Sequence, residues 1–130
     1  MAKKNPLKNK PHLKTKERIK LSKKLTKKNE KIYVKYLDDK IRSINTFDLL
    51  NYLKKKTKAN LFFLMGSDNL KKFHKWKNWK QIPKLAKIVI FPRENYSYTS
   101  IATKKLNKND FIYIKSKKIN ISSSLIRKFW

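Results

Sequence analysis

The sequence has no cysteine and a single glycine, Gly66. Without cysteine there is no disulfide frame and no thiolate metal site, which fits a cytoplasmic location. One glycine is too few for the Walker A loop, for a Gly-x-Gly-x-x-Gly turn or for a nucleophile elbow. The two histidines, His12 and His74, have no Cys, Asp or Glu at metal-ligand spacing. No apolar run nears the roughly 18 residues that a membrane span needs, and the opening "MAKKNPLKNK" lacks the apolar stretch of a secretory leader. No membrane partner is expected.

Acidic residues are also scarce, 8 against 36 Lys and Arg, so the formal net charge is +28. A charge of this size suits a polyanionic partner, and a small basic RNA- or DNA-binding protein is one reading of the chain. The kind of base tempers it. Only Arg18, Arg42, Arg93 and Arg127 are arginine, whereas readers of nucleic acid favour the flat guanidinium fork. Abundant lysine, asparagine and isoleucine together also arise from an A/T-rich coding sequence. The other reading is therefore a solvated lysine surface.

What is present suffices for one modest core: 130 residues, with 39% hydrophobic and 12% aromatic, exclude a disordered basic tail. Residues 1–14 read as loop, with Pro6 and Pro11. Thr15 is expected to cap a helix over 15–28. "KIYVKYL" (31–37) alternates and predicts a strand. "INTFDLLNYLKKK" spaces Ile44, Phe47, Leu50 and Leu53 three apart, a helix stripe. "NLFFLM" (60–65) is a continuous apolar run and predicts a strand covered on both faces. Short helical turns broken near Pro83 should follow, then strands at "KIVIFP" (87–92) and "FIYIK" (111–115), then a helix from Ser122. This alternation predicts an α/β layered, parallel sheet. Ligands of such sheets bind beyond the carboxyl ends of strands, so Gly66, Asp68, Arg93 and Ser122, which all follow strands, are expected on one rim.

Four stretches have chemical potential. In "MGSDNL", Gly66 can let backbone approach a ligand and Asp68 can accept from a ribose or base; the alternative is a glycine turn with Asp68 capping the next helix. In "FHKWKNW", Trp76 and Trp79 either stack on an aromatic ligand or form one apolar helix face. Arg93 in "FPRENY" is a phosphate or carboxylate clamp, or one half of a surface ion pair. In "ISSSLIR", Ser122, Ser123, Ser124 and Arg127 would surround the start of a helix, where hydroxyls, unpaired amides and a guanidinium suit a triphosphate; the alternative is an ordinary serine cap.

Taken in order, these stretches resemble bacterial nicotinate-nucleotide adenylyltransferase, a nucleotidyltransferase family with a Rossmann-like parallel-sheet fold. "NPLKNKPHLKTKERIKL" resembles the family's Pro-x-x-x-x-Pro-His loop and the helix after it. "INTFDLL" resembles Tyr-Thr-x-Asp-Thr-Leu, and "FFLMGSDNL" resembles a strand ending Gly-Ala-Asp-x-Leu. "HKWKNWKQIPKLAKIVIFPRENYS" resembles Trp-x-x-Trp followed by a strand and Pro-Arg-x-x-Tyr. "ISSSLIR" resembles Ile-Ser-Ser-Thr-x-Ile-Arg.

The resemblance implies adenylyl transfer from ATP to nicotinate mononucleotide, a step of NAD biosynthesis, giving the deamido dinucleotide and pyrophosphate with Mg²⁺ accompanying ATP. It implies that Trp76 stacks on the nicotinate ring and that Thr46, with backbone near Trp76, holds the ring's carboxylate. Gly66 and Asp68 would line the nucleotide site. His12, Arg93, Ser122, Ser123, Ser124 and Arg127 would serve the ATP phosphates.

The departures matter too. The family's first strand, glycine turn and His-x-Gly-His-type motif, its catalytic element, have no counterpart in this sequence. The expectation is thus a single partial domain over 1–130 that lacks the first β-α unit and has little or no activity by itself. Leu49 and Ser124 stand where the family has threonine, and Glu94-Asn95 where Pro-Gly is common. Oligomeric state is left open.

Overall fold

The computed structural model describes residues 13–93 and 96–116. They fall into two compact units that meet at Thr57 and Lys58.

The first unit holds α1 (Thr15–Thr26), the single turn α2 (Asp38–Ile41) and α3 (Thr46–Lys56). In α1 the cap position is Lys14 rather than Thr15, and the Lys14 N–H is taken by the Glu17 carboxylate at 2.9 Å. Thr15 is already helical and accepts from Arg18 Nη2 at 3.2 Å. No residue of α1 is buried. In α3 three members of the expected stripe turn inward, with Leu50 buried and Phe47 and Leu53 half-buried, whereas Ile44 lies before the helix and is exposed. Arg42 adopts a left-handed conformation, φ 52°, and ends α2 by turning the chain toward α3.

The expected strand at 31–37 does not form; residues 32–37 run without regular structure. Alternation describes a surface, not a ladder. No described strand pairs with this segment, so its backbone gains nothing from extending.

The second unit is a three-stranded parallel sheet. Its strands are β1 (Phe62–Gly66), β2 (Lys87–Phe91) and β3 (Phe111–Tyr113), side by side in that order. The register pairs Leu64 with Val89 and Val89 with Ile112, and one residue on it pairs Met65 with Ile90 and Ile90 with Tyr113. Because side chains alternate, these two rows lie on opposite faces. Connections between strands include the single turns α4 (Ser67–Leu70) and α5 (Ile82–Leu85), the helix α6 (Ile101–Lys105), and 3₁₀ turns at 73–75, 79–81 and 108–110. Leu70, Phe73, Ile82 and Ala102 from the connections are fully buried, as are Ile88 and Ile90 of β2. Burial of each of the larger of these apolar side chains contributes about 1.5–3 kcal/mol.

The reading of continuous apolar runs holds for the central strand β2, whose Ile88, Val89 and Ile90 are all buried. It fails for β1, where Phe62 and Leu64 are 56% and 59% exposed. The strand lies at the side of the sheet, and the buried connections cover only the face that Phe63 and Met65 share. Pro83 does not break the turns before β2. It sits in the first turn of α5, where its missing N–H costs nothing. Among the described residues no helix is long and apolar enough to cross a membrane.

Candidate substrate site

β1 and β2 end together, with Gly66 opposite Phe91. Beyond that pair the chains part. β1 turns into α4, while Pro92, with no N–H to offer, stops β2. The crevice between diverging carboxyl ends of parallel strands is the usual binding place in an α/β sheet. Four residues meet there.

Gly66 is extended, φ −81°, so its backbone conformation does not call for glycine. Space does. A Cβ at this position would overlap Asp68 Oδ1 and stand 3.0 Å from Arg93 Nε and 3.2 Å from Arg93 Cγ. The Arg93 side chain therefore lies directly over the Gly66 backbone. Asp68 lies in the first turn of α4; its Oδ1 is 3.8 Å from Arg93 Nε, with the two side chains 26% and 44% exposed. At that separation and exposure the pair contributes roughly 0–1 kcal/mol. Both open readings of Arg93 are thus visible in one place: a rim guanidinium, and an ion pair whose acid is Asp68.

Ser67 is the residue that sequence reading missed. It is fully buried, and its hydroxyl accepts the Arg93 N–H at 2.9 Å and lies 3.5 Å from the Tyr96 carbonyl, to which it donates. A serine between a glycine and an aspartate gave no signal, because its partners are 26 and 29 residues away.

Trp76 follows the 3₁₀ turn 73–75 and is half-buried. It meets Phe63 edge-on (centroids 5.9 Å apart, planes at 70°) and Phe73 likewise (5.3 Å, 63°). Trp79 packs on Phe73 from the next 3₁₀ turn (6.2 Å, 76°), with Lys80 Nζ 5.7 Å from its ring centroid. The two tryptophans do not share a helix face. Asn78, left-handed at φ 49°, separates their turns. Phe73 is the buried anchor and both indoles flank it. His74 is half-buried with Nδ1 lacking a hydrogen-bond partner. Among the described residues, no group of three His, Cys, Asp or Glu is placed to hold a metal ion.

Thr46 belongs to the first unit, as the first residue of α3 behind the cap position Asn45. The helix entry is pinned by Ser43, whose hydroxyl donates to Asp48 Oδ2 at 2.6 Å and accepts from Asn45 N at 3.1 Å. An open recess of about 470 Å³ lies before this entry, lined by Asp38, Asp39, Arg42, Ser43, Ile44 and Asn45. On its rim, Tyr36 donates to Asp39 Oδ1 at 2.8 Å. Partial burial and that carboxylate push the Tyr36 phenol up to about 12. His12, Ser122, Ser123, Ser124 and Arg127 lie outside the described residues. Of the expected rim, the structure brings together Gly66, Asp68 and Arg93.

Residues 1–129 match the cytidylyltransferase-like family. Among curated proteins, the chain is 44% identical over 131 residues to one from Pelagibacter ubique, covering 98% of this chain and 73% of that relative. It is 35% identical over 127 residues to one from Aquifex aeolicus, covering 92% and 76%. Both relatives bear the name "Probable nicotinate-nucleotide adenylyltransferase". This chain belongs to the nicotinate-nucleotide adenylyltransferases of the cytidylyltransferase-like family. Its three parallel strands with helical connections are the Rossmann-like nucleotidyltransferase sheet that the motifs pointed to. The crevice of Gly66, Asp68 and Arg93 sits where such a sheet takes its ligand.

Proposed function

We propose that this chain takes part in adenylyl transfer from ATP to nicotinate mononucleotide in NAD biosynthesis, with the substrates held at the carboxyl ends of β1 and β2. The observation that carries the proposal is the meeting of Gly66, Asp68 and Arg93 at that crevice in a chain of this family. A phosphate oxygen of the mononucleotide attacks the α-phosphorus of ATP. The new O–P bond forms as the bond from the α-phosphorus to the bridging oxygen breaks, and pyrophosphate leaves with the electron pair. The attacking phosphate is already largely ionised at neutral pH, so alignment and charge neutralisation are the main demands.

Arg93 would exchange its loose contact with Asp68 for a phosphate oxygen, and Asp68 would then accept from a nucleotide hydroxyl. Gly66 leaves room for the backbone of β1 to lie against the nucleotide. By the resemblance, Trp76 would offer its indole to the nicotinate ring, and Thr46 would help hold the ring carboxylate. His12, Ser122, Ser123, Ser124 and Arg127 would serve the phosphates of ATP. Magnesium would enter as the Mg²⁺–ATP complex, as part of the substrate. A cytoplasmic location, where ATP is at hand, suits this reading.

The test is a binding measurement that does not depend on turnover. Tryptophan fluorescence of the folded chain is titrated with nicotinate mononucleotide and with its amide analogue. The proposal expects quenching by the acid form only, lost in Trp76→Ala. Absence of quenching, with tight and steeply salt-dependent binding to random RNA, would overturn it and favour the basic RNA- or DNA-binding protein that the +28 charge suggests.

A further inference from the structure

We infer that Ser67 is a positioning residue: its buried hydroxyl sets where Arg93 stands, and through Arg93 it sets the affinity of the crevice for a nucleotide phosphate. The second half rests on the reading of Arg93 as a phosphate-binding side chain.

The physical case begins at Pro92. Once proline ends the β2 ladder, the next N–H, that of Arg93, has no strand to pair with. It turns inward and donates to Ser67 Oγ at 2.9 Å. The same hydroxyl reaches the Tyr96 carbonyl at 3.5 Å, and the Tyr96 N–H closes back on the Arg93 carbonyl at 3.2 Å. One fully buried side chain of α4 thus fastens both Arg93 and Tyr96 of the segment after β2 to the turn after β1.

The consequence for Arg93 is specific. Its side chain leaves the backbone over Gly66, with Cγ and Nε at 3.2 and 3.0 Å from where a Cβ would be, and Nε ends 3.8 Å from Asp68. The Arg93 side chain is 44% exposed. Its backbone anchor is the Ser67 hydroxyl. Alanine at 67 would leave a part-buried N–H without its acceptor, and the strand end would shift to find one.

The experiment compares wild type, Ser67→Ala, Ser67→Cys, Arg93→Ala and the double variant Ser67→Ala/Arg93→Ala, each checked for folding by circular dichroism. Two quantities are read: amide hydrogen exchange at Arg93 by NMR, and affinity for Mg²⁺–ATP by calorimetric titration. The inference expects Arg93 exchange to quicken by about tenfold or more in Ser67→Ala, since its acceptor is gone. It expects ATP affinity to fall about five- to tenfold, the scale of one lost hydrogen bond. It expects Ser67→Ala to cost nothing further in the Arg93→Ala background, because both act through one side chain. Ser67→Cys, with a weak sulfur acceptor of similar size, should fall between the two and supplies the comparison if alanine fails to fold.

Unchanged Arg93 exchange in Ser67→Ala overturns the inference. So does an equal loss of ATP affinity with and without Arg93, which would mean that serine only supports the fold. If wild type binds no ATP while Arg93 exchange still quickens, the placement of Arg93 by Ser67 stands and the nucleotide reading of the crevice falls.

Discussion

Arg93 lies over Gly66 so closely that any side chain at 66 would touch it. A Cβ would stand 3.0 Å from Arg93 Nε and would overlap Asp68 Oδ1. The obstacles are side-chain atoms rather than backbone, and Gly66 itself is at an ordinary φ of −81°. Gly66→Ala should therefore cost little fold stability, below the roughly 1–3 kcal/mol typical of overpacking a rigid core. It should cost more in binding, with ATP affinity falling on the order of tenfold as Arg93 and Asp68 are driven apart. Thermal melts beside ATP titrations check this. A collapse in melting temperature with unchanged affinity would show that the glycine serves the fold and not the crevice.

The tryptophans make a paired prediction. Both flank Phe73, and both are half-buried. Each should lose about 1–3 kcal/mol on change to alanine, less than the 3–5 kcal/mol of a fully buried aromatic. Only Trp76→Ala should abolish the response to nicotinate mononucleotide, whereas Trp79→Ala should keep it. Urea unfolding and fluorescence titration of the two single variants decide the matter, each retaining other tryptophans as a signal.

How much of this was legible beforehand depends on how far each residue's partners lie along the chain. The helix α3 and the strand β2 were readable because their signals are local: apolar residues three apart over 44–53, and an unbroken run at 87–92. The parallel class followed from alternation of elements. The segment 31–37 misled because its alternation is real while its ladder partner is not among the described strands. β1 misled by half, since an apolar run says that a strand is greasy but not how many faces are covered. Trp76 and Trp79 suggested a helix face by their spacing, and a left-handed Asn78 between them undid it. Gly66, Asp68 and Arg93 were placed on one rim by a rule about strand ends. Ser67 was invisible, because a contact spanning 26 residues leaves no pattern in its neighbours.

Alkaline pH should act on the first unit through Tyr36. Its phenol, partly buried and bonded to Asp39, is raised to about 12 from an ordinary 10. A group raised in the folded state stabilises fully below its unfolded value and loses that contribution as pH rises through its folded value. The stabilising effect of Tyr36 should then be intact up to about pH 10 and fade toward about pH 12. Tyr113 is also raised, by burial and by Tyr98 beside it. Ultraviolet titration should show a late-ionising tyrosine fraction, and Tyr36→Phe should remove one member of it. Ionisation of every tyrosine in a single early step would refute this.

The entry of α3 offers a prediction that separates fold from site. Ser43 donates to Asp48 at 2.6 Å and accepts from Asn45 N at 3.1 Å, while Asp48 lies in the first turn, where the helix dipole favours a negative charge. Asp48→Asn keeps the shape and an acceptor but removes the charge; it should cost about 0.3–1 kcal/mol, and less in high salt. Ser43→Ala takes both contacts and should cost about 1 kcal/mol with little salt dependence. If Thr46 holds the nicotinate carboxylate at this entry, removing the Asp48 charge also removes a repulsion. Asp48→Asn should then bind nicotinate mononucleotide more tightly than wild type by a few-fold at low salt, while its amide analogue shows no gain. A stability loss accompanied by equal effects on acid and amide forms would leave Asp48 a helix-entry residue alone and would move the carboxylate away from Thr46.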